Sequence, residues 1–182
     1  VRWYLLRDMP TGSDATYTPE RFRARYDEIA NVLGNLAGRT ISMIVKYRDG
    51  IIPEAAGDGL EAEIASTLSA VTGYMDALRV HDAMAVSMDL ARTANGYVDR
   101  RKPWSQAKDP SGAEDLDETL ASLARVLAVL TALFLPVTPQ KMTDLADRLG
   151  LKSVPTLGQA RSMSLGGLRV EKGAPLFPRV DR

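Results

Sequence analysis

Two asparagines and an arginine occur at intervals of four residues in the first quarter of the chain: Asn31, Asn35 and Arg39. Residues four apart lie on the same side of a helix, so these side chains would form one polar row. Asparagine is a weak helix former, and two of them in the middle of a helix need a reason. Amides and guanidinium groups hydrogen-bond the edges of nucleobases. The row therefore indicates either base recognition or polar contacts with neighbouring helices and solvent.

A second group of polar and aromatic residues follows the predicted third helix. Its members are Asn95, Tyr97, Arg100, Arg101, Lys102, Trp104 and Lys108. Residues 95–108 contain four basic side chains and one acid, Asp99, so their local charge is +3. A tryptophan beside cations is typical of a site for single-stranded RNA, where a base stacks on the ring and the cations contact phosphates. The alternative is that Trp104 closes the end of a helix bundle as a hydrophobic plug; for Tyr97 we favour a structural role.

Residues suited to catalysis or metal binding are scarce. The chain contains no cysteine and one histidine, His81, which excludes thiolate chemistry and a zinc site built from several histidines. No glycine-rich phosphate loop and no His-Glu-x-x-His motif is present. His81 stands next to Asp82 at a predicted helix start, where a capping or surface role is expected. We therefore predict no catalytic residue and no metal site in this chain.

Length and composition are those of one globular domain. The 182 residues are 45% hydrophobic and 25% charged, which argues against a disordered or low-complexity chain. Lysine plus arginine equals aspartate plus glutamate at 23 each, so a uniformly basic coat for nucleic acid is excluded but a local basic patch is not. The longest apolar run, residues 126–135, is about half as long as a bilayer-spanning helix. We expect no membrane partner and see no signal peptide.

Apolar spacing predicts about five helices that position these groups. The predicted helices are 19–48, 60–78, 81–98, one beginning near 114, and one over 139–149. The fold class is therefore all-α, an antiparallel helix bundle with a short non-helical C-terminal tail that contains a strand-like turn at 168–171. The first and third helices of such a bundle run parallel, so Arg39 and Trp104 can approach the same end. We predict a junction segment over 1–18, the helical domain over 19–150 and the tail over 151–182.

Several segments, in order, resemble the C-terminal part of bacterial-type methionyl-tRNA synthetases, the class I ligases that charge tRNA with methionine. The segments are 1–8 (VRWYLLRD), 28–39 (EIANVLGNLAGR), 95–98 (NGYV), 102–108 (KPWSQAK), 135–139 (LPVTP), 149–150 (LG) and 175–180 (PLFPRV). Each segment alone is a weak signal, but the ordered set covers nearly the whole chain and is specific. The resemblance implies the anticodon-binding helix bundle of the class I synthetases.

Roles for the polar and aromatic residues are implied by this resemblance. It implies that Trp104 stacks on an anticodon base, and that Asn35 and Arg39 hydrogen-bond anticodon bases with the support of Asn31. Further side chains are possible RNA contacts: Asn95, Arg100, Arg101, Lys102 and Lys108. The resemblance leaves open whether Asn95, Tyr97 and Lys108 touch RNA or hold the segment in place.

The family's catalytic Rossmann half and its signature motifs have no counterpart in this sequence. The resemblance implies ATP and magnesium as cofactors of a parent enzyme, none in this chain, and a chain that is inactive in catalysis by itself. Val1 is expected to lie inside an element that begins earlier. The expected partners are methionine tRNA and the catalytic half, in the cytoplasm. We expect residues 151–182 to pack back toward that half and to be weakly anchored without it.

The leading hypothesis is recognition of the CAU anticodon of methionine tRNA by the anticodon-binding part of a methionine–tRNA ligase. A second hypothesis is a free-standing tRNA-binding or RNA-binding helical factor without ligase activity. A third, based on the apolar stripes alone, is a helical bundle that binds proteins and no RNA.

Overall fold

The first long helix starts after a capping residue and runs through the polar row. The structure, a computed structural model, describes residues 1–10 and 12–178; Thr11 and residues 179–182, with the end of the 175–180 segment, lie outside the described part. Helix α2 (Pro19–Ile29) begins at Thr18, whose hydroxyl accepts the Arg21 N–H at 3.2 Å. A π-turn (Ala30–Gly34) leads directly into α3 (Asn35–Arg48). The predicted helix 19–48 is thus one continuous helical path with a π-turn inside it.

The remaining long helices match the predicted ones within a few residues. They are α4 (Glu61–Asp76), α5 (Val80–Arg101), α7 (Ala113–Phe134) and α8 (Pro139–Arg148). Between α5 and α7 the chain forms a short helix α6 (Pro103–Gln106) and a 3-10 turn (Pro110–Gly112). Helix α7 buries apolar side chains on most of its circumference, which makes it the central helix of the bundle. The all-α bundle is confirmed.

Contacts along the helices define their directions. Glu28 of α2 pairs with Arg92 of α5, and Arg39 of α3 pairs with Asp99 one to two turns further along α5. The contact positions rise together, so the first long helix and α5 run parallel, as expected. Arg48, at the end of α3, pairs with Asp117 near the start of α7. Helix α7 is therefore antiparallel to both, and the ends of α3 and α5 lie at the same end of the bundle.

The N-terminal segment is anchored on the bundle by a short helix that the sequence analysis did not predict, α1 (Arg2–Asp8). Trp3 is only 5% exposed, and its ring centroid lies 5.5 Å from that of Phe134. Its Nε1–H donates to the Arg25 carbonyl at 2.8 Å. The buried Asp8 carboxylate pairs with Arg25 at 2.5 Å. These contacts fix the predicted junction segment against α2 and α7.

The tail differs from our expectation in one way. It contains one short helix, α9 (Leu157–Ser162), because Thr156 and Gln159 form a capping box. Part of the tail packs on the bundle, and its weak attachment without the catalytic half stays a prediction. Val170 and Phe177 are buried, and a single antiparallel bridge joins Ile51 to Arg169 where we predicted a strand-like turn. The tail thereby covers apolar surface of the bundle that would otherwise face water.

A helix that spans a bilayer must be both long and apolar. Within residues 1–10 and 12–178, no helix is both long enough and apolar enough to cross a membrane.

Candidate nucleic-acid interface

The π-turn aligns the polar row. A four-residue step in an α-helix rotates by slightly more than one turn, whereas the same step through a π-turn rotates by less than one turn. The step from Asn31 to Asn35 crosses the π-turn, and the step from Asn35 to Arg39 lies in α3. The two deviations oppose each other, so the three residues stay on one side of the helix. Asn31 and Asn35 are exposed and Arg39 is half-buried.

The side chain of Asn95 bonds to the π-turn. The π-turn is closed by the Asn35 N–H, which donates to the Ala30 carbonyl five residues earlier. Asn95, on α5, donates from Nδ2 to the Val32 carbonyl at 3.1 Å and to the Ala91 carbonyl at 3.0 Å. The amide donors of this predicted RNA contact are thus used inside the protein. Asn95 therefore stabilises the backbone of the helix that carries the polar row.

The variant Asn95→Asp should lower the free energy of unfolding by about 1–3 kcal/mol, because it replaces the amide donor with an oxygen facing two carbonyl oxygens. Urea unfolding measures the change. The matched control is Asn31→Asp, which makes the same chemical change on an exposed side chain and should alter stability by about 0.5 kcal/mol or less. Equal effects of the two variants would contradict a bridging role for Asn95.

Arg39 is held by an ion pair with α5. Its Nη2 lies 2.9 Å from Asp99 Oδ1, and the Asp99 side chain is 65% exposed. This pair ties the polar row to the last turn of α5, which leads into the segment that contains Trp104. It also means that an RNA base or phosphate must compete with a carboxylate for the Arg39 guanidinium.

The chain turns sharply at Lys102 and presents Trp104 on the new helix. Lys102 has a left-handed backbone conformation with φ 49°, and its N–H donates to the Val98 carbonyl at 3.0 Å, which ends α5. Pro103 then starts α6 and is buried. Trp104 is 41% exposed, and among the described residues its indole N–H has no hydrogen-bond acceptor. Base stacking requires an accessible aromatic ring, and Trp104 is accessible in part, whereas its neighbour Pro103 is buried.

The basic residues around Trp104 fall into two groups. Arg101 is used within the fold, since its Nε donates to Thr119 Oγ1 at 3.0 Å and its Nη2 lies 2.7 Å from Asp115 Oδ1. Tyr97 is buried close to it. Three other cations are exposed: Arg100, Lys102 and Lys108. The exposed group is available to phosphates, whereas Arg101 fastens the end of α5 to α7.

A groove that no sequence pattern predicted lies on the other side of the polar row. Its volume is about 460 Å³, and Asn35 and Arg39 form part of one wall. The opposite wall consists of the end of α8 and the tail, including Arg148 and Lys172. More than a hundred residues separate Arg39 from Arg148 in the chain, and no local spacing indicates that they face each other.

Comparison with known proteins decides the family. The family model described as "Anticodon binding domain of methionyl tRNA ligase" matches residues 49–169. This chain belongs to that family. The match includes the segment with Trp104, while the polar row lies before it. Curated methionine–tRNA ligases match the whole chain, including the row: the one from Lactiplantibacillus plantarum is 40% identical and the one from Bacillus subtilis 37% identical.

Solved structures of methionyl-tRNA synthetases have the same fold. The apo form of the Mycobacterium tuberculosis methionyl-tRNA synthetase matches all of the chain with a TM-score of 0.91 and 29% identity, over 38% of its own length. The same synthetase in complex with methionyl-adenylate matches 98% of the chain with a TM-score of 0.87 and 30% identity, over 37% of its length. The chain spans only 28–29% of the curated relatives from L. plantarum and B. subtilis.

Acidic and histidine side chains do not gather into a metal-binding cluster in the described part of the chain. Within residues 1–10 and 12–178, no three histidine, aspartate or glutamate side chains come together in a way that could hold a metal ion.

Proposed function

We propose that this anticodon-binding domain recognises the CAU anticodon of methionine tRNA for a methionine–tRNA ligase. The observation that carries the proposal is the half-exposed Trp104 one turn beyond the end of α5, whose last turn is joined to the polar row by the Arg39–Asp99 pair. The base-edge ligands then lie on one of two parallel helices, and the stacking surface lies on the short helix that directly follows the other. The family of the chain supports this interpretation.

Each group has a chemical role in this proposal. One anticodon base stacks on the indole of Trp104, a contact that tolerates any base because every base has a π-face. Asn35 donates to and accepts from base edges, and Arg39 donates to them, which supplies the sequence discrimination, with Asn31 beside them. The exposed cations Arg100, Lys102 and Lys108 neutralise phosphates of the loop.

The catalytic half of the ligase is the second proposed partner. The curated relatives are more than three times as long as the segment they share with this chain. ATP-dependent formation of methionyl-tRNA is assigned to that remaining length, and this chain alone is expected to be inactive in it. Such a role implies the cytoplasm, where tRNAs are charged.

The test is binding of anticodon stem-loops that differ only in the loop sequence. We expect a loop with CAU to bind about 10- to 100-fold more tightly than one with a scrambled anticodon at the same salt concentration, because a well-formed bidentate contact discriminates between bases by about 1–3 kcal/mol. Fluorescence anisotropy with labelled stem-loops measures both dissociation constants. Equal affinities would refute CAU recognition, and no binding at all would favour a bundle that binds proteins.

The comparisons do not favour a free-standing RNA-binding factor. The curated ligases from L. plantarum and B. subtilis are matched over 100% of this chain, from the N-terminal segment through the tail. The similarity to the ligases therefore extends over the whole chain, well beyond the segment that contains Trp104.

The variant Asp99→Asn should strengthen binding of both the CAU and the scrambled stem-loop. It releases Arg39 and removes an exposed negative charge beside the row. The gain should be at most about fivefold, since an exposed ion pair contributes about 0.2–1 kcal/mol. Anisotropy titrations check it. The control is Asp89→Asn, which removes a carboxylate of similar exposure that pairs with Arg92 on the same helix. If both variants bind RNA alike, Asp99 does not compete for Arg39.

A further inference from the structure

The groove beside the polar row is open along its floor. Gly38 lies between Asn35 and Arg39 and lines the groove, and a Cβ built on it would meet no atom within 4 Å. The volume of about 460 Å³ is large enough for a nucleotide-sized group. Because Asn35 and Arg39 belong both to the row and to the groove wall, the groove continues the candidate interface on the side away from α5.

The lining of the groove is positively charged. Its described lining residues include three cations, Arg39, Arg148 and Lys172, and no acidic side chain. Arg39 is paired with Asp99, and Arg148 is paired with Asp144 at 2.7 Å. Among the described residues Lys172 forms no ion pair and is exposed. The unneutralised charge of the groove is therefore that of Lys172.

The backbone around Lys172 is fixed by Arg148. The Glu171 N–H donates to the Arg148 carbonyl at 2.9 Å, and Arg148 Nη1 donates to the Ala174 carbonyl at 2.6 Å. Between them, a Cβ on Gly173 would lie 2.5 Å from Arg148 Cζ, so a larger residue there would have to displace the Arg148 guanidinium. Lys172 thus extends from an ordered segment that is bonded on both sides.

We propose that this groove binds the sugar–phosphate backbone of the RNA loop, with Lys172 contacting one phosphate. The inference rests on the proposed anticodon recognition and adds a second subsite to it. A loop that spreads its bases over the row has backbone on both sides of the row. On the α5 side the exposed cations next to Trp104 are available; on the other side the groove offers an open floor, a free lysine and no acidic lining residue. Contacts with phosphates position RNA without reading its sequence.

The first experiment measures the salt dependence of stem-loop binding for the 182-residue chain. For Lys172→Ala we expect the slope of log affinity against log salt to decrease in magnitude by about 0.7, as for the loss of one phosphate contact on a single strand. The CAU and scrambled loops should weaken by the same factor, because a phosphate carries no sequence information. Lys172→Arg, which keeps the charge, should retain the wild-type slope.

The matched control is Lys152→Ala, which removes an exposed lysine that follows α8 and does not line the groove. It should leave the slope unchanged. Circular dichroism melting should show that both alanine variants fold as the wild type does, since both side chains are exposed.

The second experiment locates the phosphate. A set of CAU stem-loops, each with one neutral methylphosphonate, is titrated against the wild type and Lys172→Ala. One position should weaken binding to the wild type yet have little further effect on the variant, which is the signature of a direct contact in a double-mutant cycle. An unchanged slope for Lys172→Ala, or no coupled position, would overturn the groove proposal. If the wild type discriminates CAU in that case, the proposed function stands without it; if the wild type binds no stem-loop, both fail.

Discussion

Replacing Trp104 with alanine should weaken binding of the CAU stem-loop by about 1–3 kcal/mol, the usual effect of removing an aromatic surface on which a base stacks. This corresponds to roughly a 5- to 150-fold higher Kd. The variant Trp104→Phe should recover part of the affinity, because a smaller aromatic face remains. Anisotropy titrations at one salt concentration give all three values.

Stability distinguishes a stacking residue from a plug. Trp104 is 41% exposed, so Trp104→Ala should change the free energy of unfolding far less than the loss of a buried aromatic residue would. Urea unfolding of the same preparations checks this. A large loss of stability together with unchanged RNA affinity would mean that Trp104 is a hydrophobic plug at the end of the bundle.

Replacing Trp3 with alanine should affect stability and not RNA binding. We expect the free energy of unfolding to fall by about 3–5 kcal/mol. Trp3 is 5% exposed, packs on Phe134 and donates to the Arg25 carbonyl at 2.8 Å, so truncation leaves a cavity and removes this hydrogen bond. Such a loss is a large part of the stability of an ordinary domain, about 5–15 kcal/mol. Urea unfolding monitored by circular dichroism measures it.

The control for this prediction is Trp3→Phe. This variant keeps an aromatic ring in the core, so it loses the hydrogen bond to Arg25 but only part of the packing. It should lose much less stability than Trp3→Ala. Under conditions where the variants remain folded, RNA binding should be that of the wild type, because Trp3 lies on α1, outside the proposed interface. If the urea concentration at the midpoint of unfolding is the same for Trp3→Ala and the wild type, the N-terminal helix does not contribute to the stability of the core.

The spacing of residues along the chain was sufficient to predict the long helices and the polar row. Thr18 and Pro19 mark the start of the first helix, and the apolar side chains that follow recur at helical intervals. The row at Asn31, Asn35 and Arg39 follows from the same periodicity. These features depend on residues within a few turns of one another, and a sequence displays such relations directly.

The features that the sequence did not reveal depend on residues that are distant in the chain. The π-turn is bonded by Asn95, which is 63 residues away from the Val32 carbonyl it contacts. The use of Arg101 inside the fold depends on Thr119 and Asp115, which α7 brings alongside. A basic residue that anchors a helix and one that faces solvent have the same letter in a sequence, so only the fold separates them.

The short helix in the tail has a sequence signal, but the helix is too short for that signal to predict it. Thr156 and Gln159 have the spacing of a capping box, but the helix that they start has only six residues and too few turns for apolar periodicity. The anchoring of the tail depends on side chains such as Val170 and Phe177, which fill gaps between helices formed much earlier in the chain. Their burial is a property of the assembled bundle.

The contacts between the first long helix and α5 together fix the axial position of one helix relative to the other. An ion pair at Glu28 and Arg92, an amide-to-backbone bond at Asn95 and an ion pair at Arg39 and Asp99 join the helices in ascending order. Each contact needs the same axial alignment, and packed helices move past one another in discrete steps rather than by continuous sliding. A shift by one turn would break all of them at once. We therefore expect the polar row and the Trp104 segment to lose their relative positions together during local unfolding, so that the proposed base preference disappears in one step.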